Sequence, residues 1–155
     1  PEAQLDRFMI RLTLGYPSPA EELEIYSRFE KNSVLPDIPP ITGAEEISRM
    51  QDVVPTIRMD DSVREYLLEV IRSTRDHSSI SLGASPRGGM ALYKSTQSWA
   101  AINGRDFVTP EDVKKMVPAV LPHRIILSSD ARLKGDSPGQ VVQEILSTVP
   151  VPIER

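Results

Sequence analysis

The chain has 155 residues, 39% hydrophobic and 26% charged, which is enough apolar material for one ordinary core and argues against two large ones. Eighteen basic residues against 22 acidic ones leave a net charge of −4, which disfavours a nucleic-acid partner gripped by its phosphates. The lack of cysteine removes disulfides and cysteine nucleophiles and makes a cytoplasmic setting the default, and no apolar run approaches the roughly 18 to 20 residues that span a bilayer, so no membrane partner is expected.

The opening PEAQLDRF (1–8) is polar with helix-compatible spacing. It lacks a start methionine and a signal-peptide pattern, so the reading expects the chain to begin inside a longer polypeptide. FMIRLTLGYP (8–17) then alternates, with Phe8, Ile10, Leu12 and Leu14 on one side and Arg11 and Thr13 on the other, predicting a short strand stopped by Gly15 and Pro17. Ser18 as N-cap, Pro19 at the first helical position, and Leu23, Ile25, Tyr26 and Phe29 at helical spacing predict a helix from 19 to about 32. VLPDIPPITG (34–43), with three prolines, reads as a linker of restricted shape. Thr42 is then expected to cap a helix running to about Val53, with Glu45 as its capping-box partner.

TIRMDDSVREYLLEVIRSTRDH (56–77) gives a short extended piece, an Asp or Ser cap, and a helix presenting Val63, Tyr66, Leu67, Val70 and Ile71 on one face. HSSISLGAS (77–85) reads as a polar loop. Ser85 and Pro86 open a helix that runs to about Ile102 and closes at Asn103 and Gly104, with Leu92, Tyr93 and Trp99 expected in the core and Ala91, Ala100 and Ala101 allowing close packing. Thr109, Pro110 and Asp112 start another helix towards Leu121, with Pro118 as a kink point. HRIIL (123–127) suggests a short strand, PGQVVQEILSTV a helix from 138 to about 149, and PVPIER (150–155) a loose tail. The sum is a mainly α bundle of five or six helices with a short strand at its start.

The helix at 86 opens against two rules. Its partly positive N-terminus disfavours a cation by about 0.3 to 1 kcal/mol, and each interior glycine costs about 1 kcal/mol relative to alanine. Yet Arg87, Gly88 and Gly89 follow the proline directly. Either an anion in front of the helix engages Arg87 and the amides together, or Arg87 points into water or pairs with a nearby acid while the glycines accommodate a tight contact. Spacing alone favours the second, since no GxxxxGK[ST] loop occurs. The two histidines, His77 and His123, are not at metal-ligand spacing, so no metal site is expected; Asp60 and Asp61 are explained by capping, and no GxSxG elbow accompanies the serines.

PEAQLDRF (1–8), GYPS (15–18), GASPRGGMAL (83–92) and NGRDFVTPEDVKKMVPAVLPHRI (103–125) together resemble the C-terminal portion of MoxR-type AAA+ ATPases, similar to magnesium-chelatase ATPase subunits. The resemblance covers nearly the whole chain, in the family's order. It implies that residues 1–16 are the last helix turn and strand of an α/β nucleotide-binding core and that 17–155 are the helical lid. It further implies that Arg87 is the sensor-2 arginine, reaching the γ-phosphate in its own subunit, and that Arg7 is the arginine finger acting in trans on a neighbour's nucleotide. By itself the sequence gives Arg7 another reading, a surface salt bridge with Asp6 or Glu2. Tyr16 and Pro17 would border the adenine, with Pro17 stiffening the hinge, although an aromatic before proline is as often simple packing.

ATP and Mg2+ are implied for an intact protein. Walker A, Walker B and sensor-1 segments are missing from these residues, so the chain alone is expected to bind no cofactor and to hydrolyse no ATP. The implied partners are the AAA+ core of the same polypeptide, neighbouring subunits in a ring, a hexamer by analogy, and a client protein that is remodelled or matured. The competing reading is a self-contained helical adaptor that binds a protein without nucleotide.

Overall fold

The structure is a computed structural model and describes residues 2–30 and 38–152. A single helical turn, α1 (Glu2–Leu5), leads into a stretch without regular structure, followed by α2 (Pro19–Glu30) and α3 (Ala44–Val53). The packed part then runs α4 (Asp61–Asp76), β1 (Ile80–Leu82), α5 (Pro86–Ile102), α6 (Pro110–Val120), β2 (Ile126–Leu127), α7 (Ser129–Lys134) and α8 (Pro138–Thr148). The mainly α expectation holds, and no helix among the described residues is long and apolar enough to cross a membrane.

The core is built by four helices whose apolar residues recur at helical spacing. Val70 and Ile71 of α4, Leu92 and Ala100 of α5, Val113, Val117 and Val120 of α6, and Val142 and Ile145 of α8 are all buried. α5 packs along α6, and α8 lies across α4 and α6. Gly83 lets the chain pass close behind α4, since a Cβ there would fall 2.6 Å from the Thr74 carbonyl oxygen. Thr74, buried inside α4, uses its hydroxyl to accept from the Ala84 amide at 2.9 Å and so fixes the approach to α5.

Several expectations need correction. Residues 77–85 are not all loop: β1 lies within them and pairs antiparallel with β2, Ile80 opposite Leu127. Ile80 and Leu82 are too few for alternation to be seen in a polar run. The expected strand at 8–14 is not formed as a strand; these residues have no ladder partner, and the Arg11 amide donates instead to the Ala119 carbonyl near the end of α6, at 2.8 Å. The N-cap of α3 is Gly43, not Thr42, whose hydroxyl donates to Glu46 at 2.7 Å, so the Thr42–Glu45 box does not form. The helix α7, capped by Ser128, was too short to show periodicity. Trp99 is only half-buried, with the Lys115 ammonium 5.7 Å from its ring, whereas Leu92 is fully buried and Tyr93 partly so.

Other local signals act as read. Thr109 and Asp112 form the capping box of α6, and that helix continues through Pro118 to Val120. Gly104 takes the left-handed conformation (φ 71°) just after α5. The predicted helix from 19 is described to Glu30, and its last residues, like 153–155 of the tail, lie outside the described residues.

Candidate functional site

The first turn of α5 meets the segment just after α1. Ser85, the N-cap, accepts from the Gly88 amide at 3.2 Å and donates its own hydroxyl proton to Asp6 Oδ2 at 2.9 Å. A carboxylate therefore stands in front of the helix start, where the unpaired amides favour negative charge. The same chain supplies an anion there, which offsets part of the cost of Arg87 at the second helical position.

Behind Asp6 lies Arg124, whose side chain is only 1% exposed. It follows α6 in the single 3-10 turn Pro122–Arg124 and points back towards the N-terminal segment. Its Nη1 donates to the Met9 carbonyl at 3.1 Å and to that of Val120, and its Nη2 donates to the Phe8 carbonyl, with the Asp6 carbonyl at 3.4 Å. Nε sits 3.3 Å from Asp6 Oδ1, close enough for strong charge attraction though not aligned for a hydrogen bond. Burial lowers the Arg124 pKa and Asp6 opposes that shift; guanidinium remains the charged form.

Gly88 belongs to this arrangement. A Cβ there would fall 3.0 Å from Arg124 Cδ and 3.4 Å from the Ala84 Cβ, so its missing side chain leaves room for the arginine stem. Gly89 has no such role, because a Cβ would meet Ile71 at an ordinary 3.8 Å. The tight-contact reading of the glycines thus holds for one of the two.

His123 completes the cluster. Its Nε2 lies 3.1 Å from the Phe8 carbonyl and 2.7 Å from Arg124 Nη1, so it either donates to the carbonyl or accepts from the guanidinium, according to tautomer. Burial is the main cause holding its pKa below 6.5, with the Arg124 and Arg11 charges adding to it and the Phe8 carbonyl and Asp6 opposing.

The residues singled out from the sequence stand around this cluster. Arg87 is exposed at the start of α5, and among the described residues its guanidinium makes no hydrogen bond or ion pair. Arg7 is likewise exposed, its amide donating to the Gln4 carbonyl at 3.2 Å; of the two salt-bridge partners read from the sequence, Asp6 is engaged by Ser85 and Arg124 instead, and the Glu2 side chain lies outside the described residues. The structure therefore brings together the segments bearing Arg7 and Arg87. Tyr16 is 98% exposed and does not pack, and Pro17 is also exposed, directly after the left-handed Gly15 (φ 74°). His77 Nδ1 accepts from the Ser79 amide at 3.2 Å, and its Nε2 lies 3.8 Å from Glu144.

Asp6, Ser85 and Arg124 as a linked group were missed from sequence. Ser85 was legible as a cap and Asp6 as a neighbour of Arg7, but the sequence separation of 118 between Asp6 and Arg124 hid their contact. An arginine in the apolar surroundings of VLPHRII (120–126) was the available signal.

Residues 72–145 match the AAA lid domain family. The chain is 43% identical to the protein YeaC of Bacillus subtilis over 155 residues, covering all of this chain and 48% of that one. It is 34% identical over 161 residues to the protein named Chaperone MoxR1 of Mycobacterium tuberculosis, covering 98% of this chain and 42% of that one. A crystal structure of a candidate ATPase from Cytophaga hutchinsonii superposes with a TM-score of 0.86 at 30% identity, covering 99% of this chain and 49% of that one. The chain spans about half the length of these relatives.

Proposed function

We propose that the chain works as the lid-bearing part of an ATP-hydrolysing AAA+ machine that remodels or matures a client protein, a reading supported by the match of residues 72–145 to the AAA lid domain family and by the similarity of nearly the whole chain to the protein named Chaperone MoxR1. In this reading residues 1–16 end a nucleotide-binding core and 17–155 form the lid. The core would hold ATP and Mg2+, which supply the phosphoryl chemistry. This chain would contribute two cations. Arg87 would reach the γ-phosphate in its own subunit, and Arg7 would act on nucleotide in the next subunit of a ring, where a permanently charged planar donor stabilises charge gathering on phosphoryl oxygens. Tyr16 and Pro17 would lie at the hinge beside the base.

The observation that carries this reading is the exposed, uncommitted guanidinium of Arg87 on a helix whose N-terminal charge is already balanced by Asp6. An arginine kept only for stability would be expected to take that carboxylate for itself. A remodelling role is supported by the name of the mycobacterial relative, Chaperone MoxR1; a ring is what the reading of Arg7 as a residue acting in trans requires.

The test is ATP hydrolysis by the whole protein that carries this chain. Arg87→Ala and Arg7→Ala are each expected to lower kcat by about 10²-fold or more, in line with the size of arginine-finger effects. Mixing Arg7→Ala subunits with subunits unable to bind ATP should restore part of the activity, because the second kind presents an intact Arg7 to the ATP site of the first, whereas a residue acting in cis would restore none. Unchanged nucleotide affinity and turnover in both variants would favour the nucleotide-free adaptor instead.

A further inference from the structure

The cluster around Arg124 ties the N-terminal segment to the bundle. Between residues 6 and 11 the chain is fixed by the Asp6 carboxylate on Ser85, by the Asp6, Phe8 and Met9 carbonyls around Arg124, and by the Arg11 amide on Ala119. Beyond Arg11 the attachment ends: Leu12 is 73%, Leu14 102% and Tyr16 98% exposed. Most partners of the buried guanidinium are on this segment, and only the Val120 carbonyl and His123 are its own neighbours in the bundle. A buried arginine that served the bundle alone would be satisfied by the bundle.

The anchored stretch brackets Arg7, and its anchor on the other side, Ser85, is two residues from Arg87. We propose that Arg124 and Asp6 are positioning residues that bind the segment carrying Arg7 to the helix start carrying Arg87, making the two arginines parts of one body. This rests on the reading of those arginines given above. The consequence is a coupling: the end of the core that carries Arg7 and the lid helix that carries Arg87 are held in one arrangement, so loosening the tie displaces the arginine presented to the neighbour relative to the one in its own site. Neither arginine needs to touch the other, because the Asp6 carboxylate and the Arg124 guanidinium fix both backbones.

The primary variant is Asp6→Asn, which keeps shape at a partly exposed position and removes the charge. In the whole protein, amide exchange at Arg11 is expected to speed up at least tenfold while amides of α5 and α6 keep their protection. The kcat for ATP hydrolysis should fall about tenfold to a hundredfold, as for a displaced catalytic group, with the KM for ATP within about twofold. Asp6→Glu should recover part of the loss, and Arg7→Ala should cost far less in the Asp6→Asn background than in the wild type. Arg124→Gln should reproduce these effects; if it fails to fold, the Asp6 pair decides.

Loosened exchange at Arg11 with kcat unchanged, in a protein where Arg7→Ala and Arg87→Ala both lower kcat, overturns the proposal. So does unchanged exchange at Arg11. Insensitivity of turnover to Arg7→Ala and Arg87→Ala would instead overturn the reading of the two arginines and the coupling with it, while the exchange result would still report the attachment itself.

Discussion

At position 88 a methyl in place of a hydrogen would crowd the stem of a buried arginine. Gly88→Ala puts a Cβ 3.0 Å from Arg124 Cδ, and overpacking of this kind costs about 1 to 3 kcal/mol. Gly89→Ala meets only an ordinary contact, so the helix-propensity gain should show as stabilisation of up to about 1 kcal/mol. Thermal or urea unfolding of the two variants should therefore move in opposite directions. His123 adds a pH dependence whose sign follows from its folded pKa lying below 6.5. Below that value the unfolded chain takes up the proton more readily than the folded one, so the contribution to stability is complete above about 6.5 and is lost as pH falls towards the folded pKa. His123→Gln is expected to flatten the change in Tm between about pH 7.5 and 5.5 relative to the wild type.

The start of α6 shows how an element is set by its cap. Arg105 grips the Asp112 carboxylate with both terminal nitrogens at 2.7 and 2.6 Å, while the Thr109 amide donates to the same group at 2.8 Å. Burial alone would push the Asp112 pKa up, but the hydrogen bonds from Arg105 and Thr109 outweigh it and hold the group below 3.8. Stability from this pair is present above pH 3.8 and is lost as pH falls through the folded value. Arg105→Ala leaves a nearly buried carboxylate without its cation and should cost about 2 to 3 kcal/mol near neutral pH, read from the shift in urea midpoint at constant m-value. At the junction of α4 and α5, Gly83→Ala would drive a Cβ within 2.6 Å of backbone and should be more damaging than Gly139→Ala in the exposed first turn of α8, where a Cβ meets nothing within 4 Å.

Over the whole molecule, burial divides the chain unevenly. Among the described residues burial begins at Ile57, whereas α2 and α3 bury none, leaving Leu23, Ile25, Tyr26, Phe29, Ile47 and Met50 open. Limited trypsin digestion is expected to cut first at Arg28 or Arg49 and to leave a resistant product starting near residue 50, because opening there breaks no core packing. Early cleavage inside α5 or α6 would contradict this division. Local patterns in the sequence determined the longer helices of the bundle, since apolar spacing, caps such as Ser85 and Thr109, and N1 prolines act over a few residues whatever surrounds them. The family motifs pointed to Arg7 and Arg87 for the same reason, being contiguous strings. Strand formation by residues 80–82, the lack of it at 8–14 and the partnership of Asp6 with Arg124 were decided only by tertiary structure. Each depends on which distant backbone or charge comes alongside, and no local pattern carries that information: a ladder needs its second strand, and a buried guanidinium needs carbonyls that the fold must bring to it.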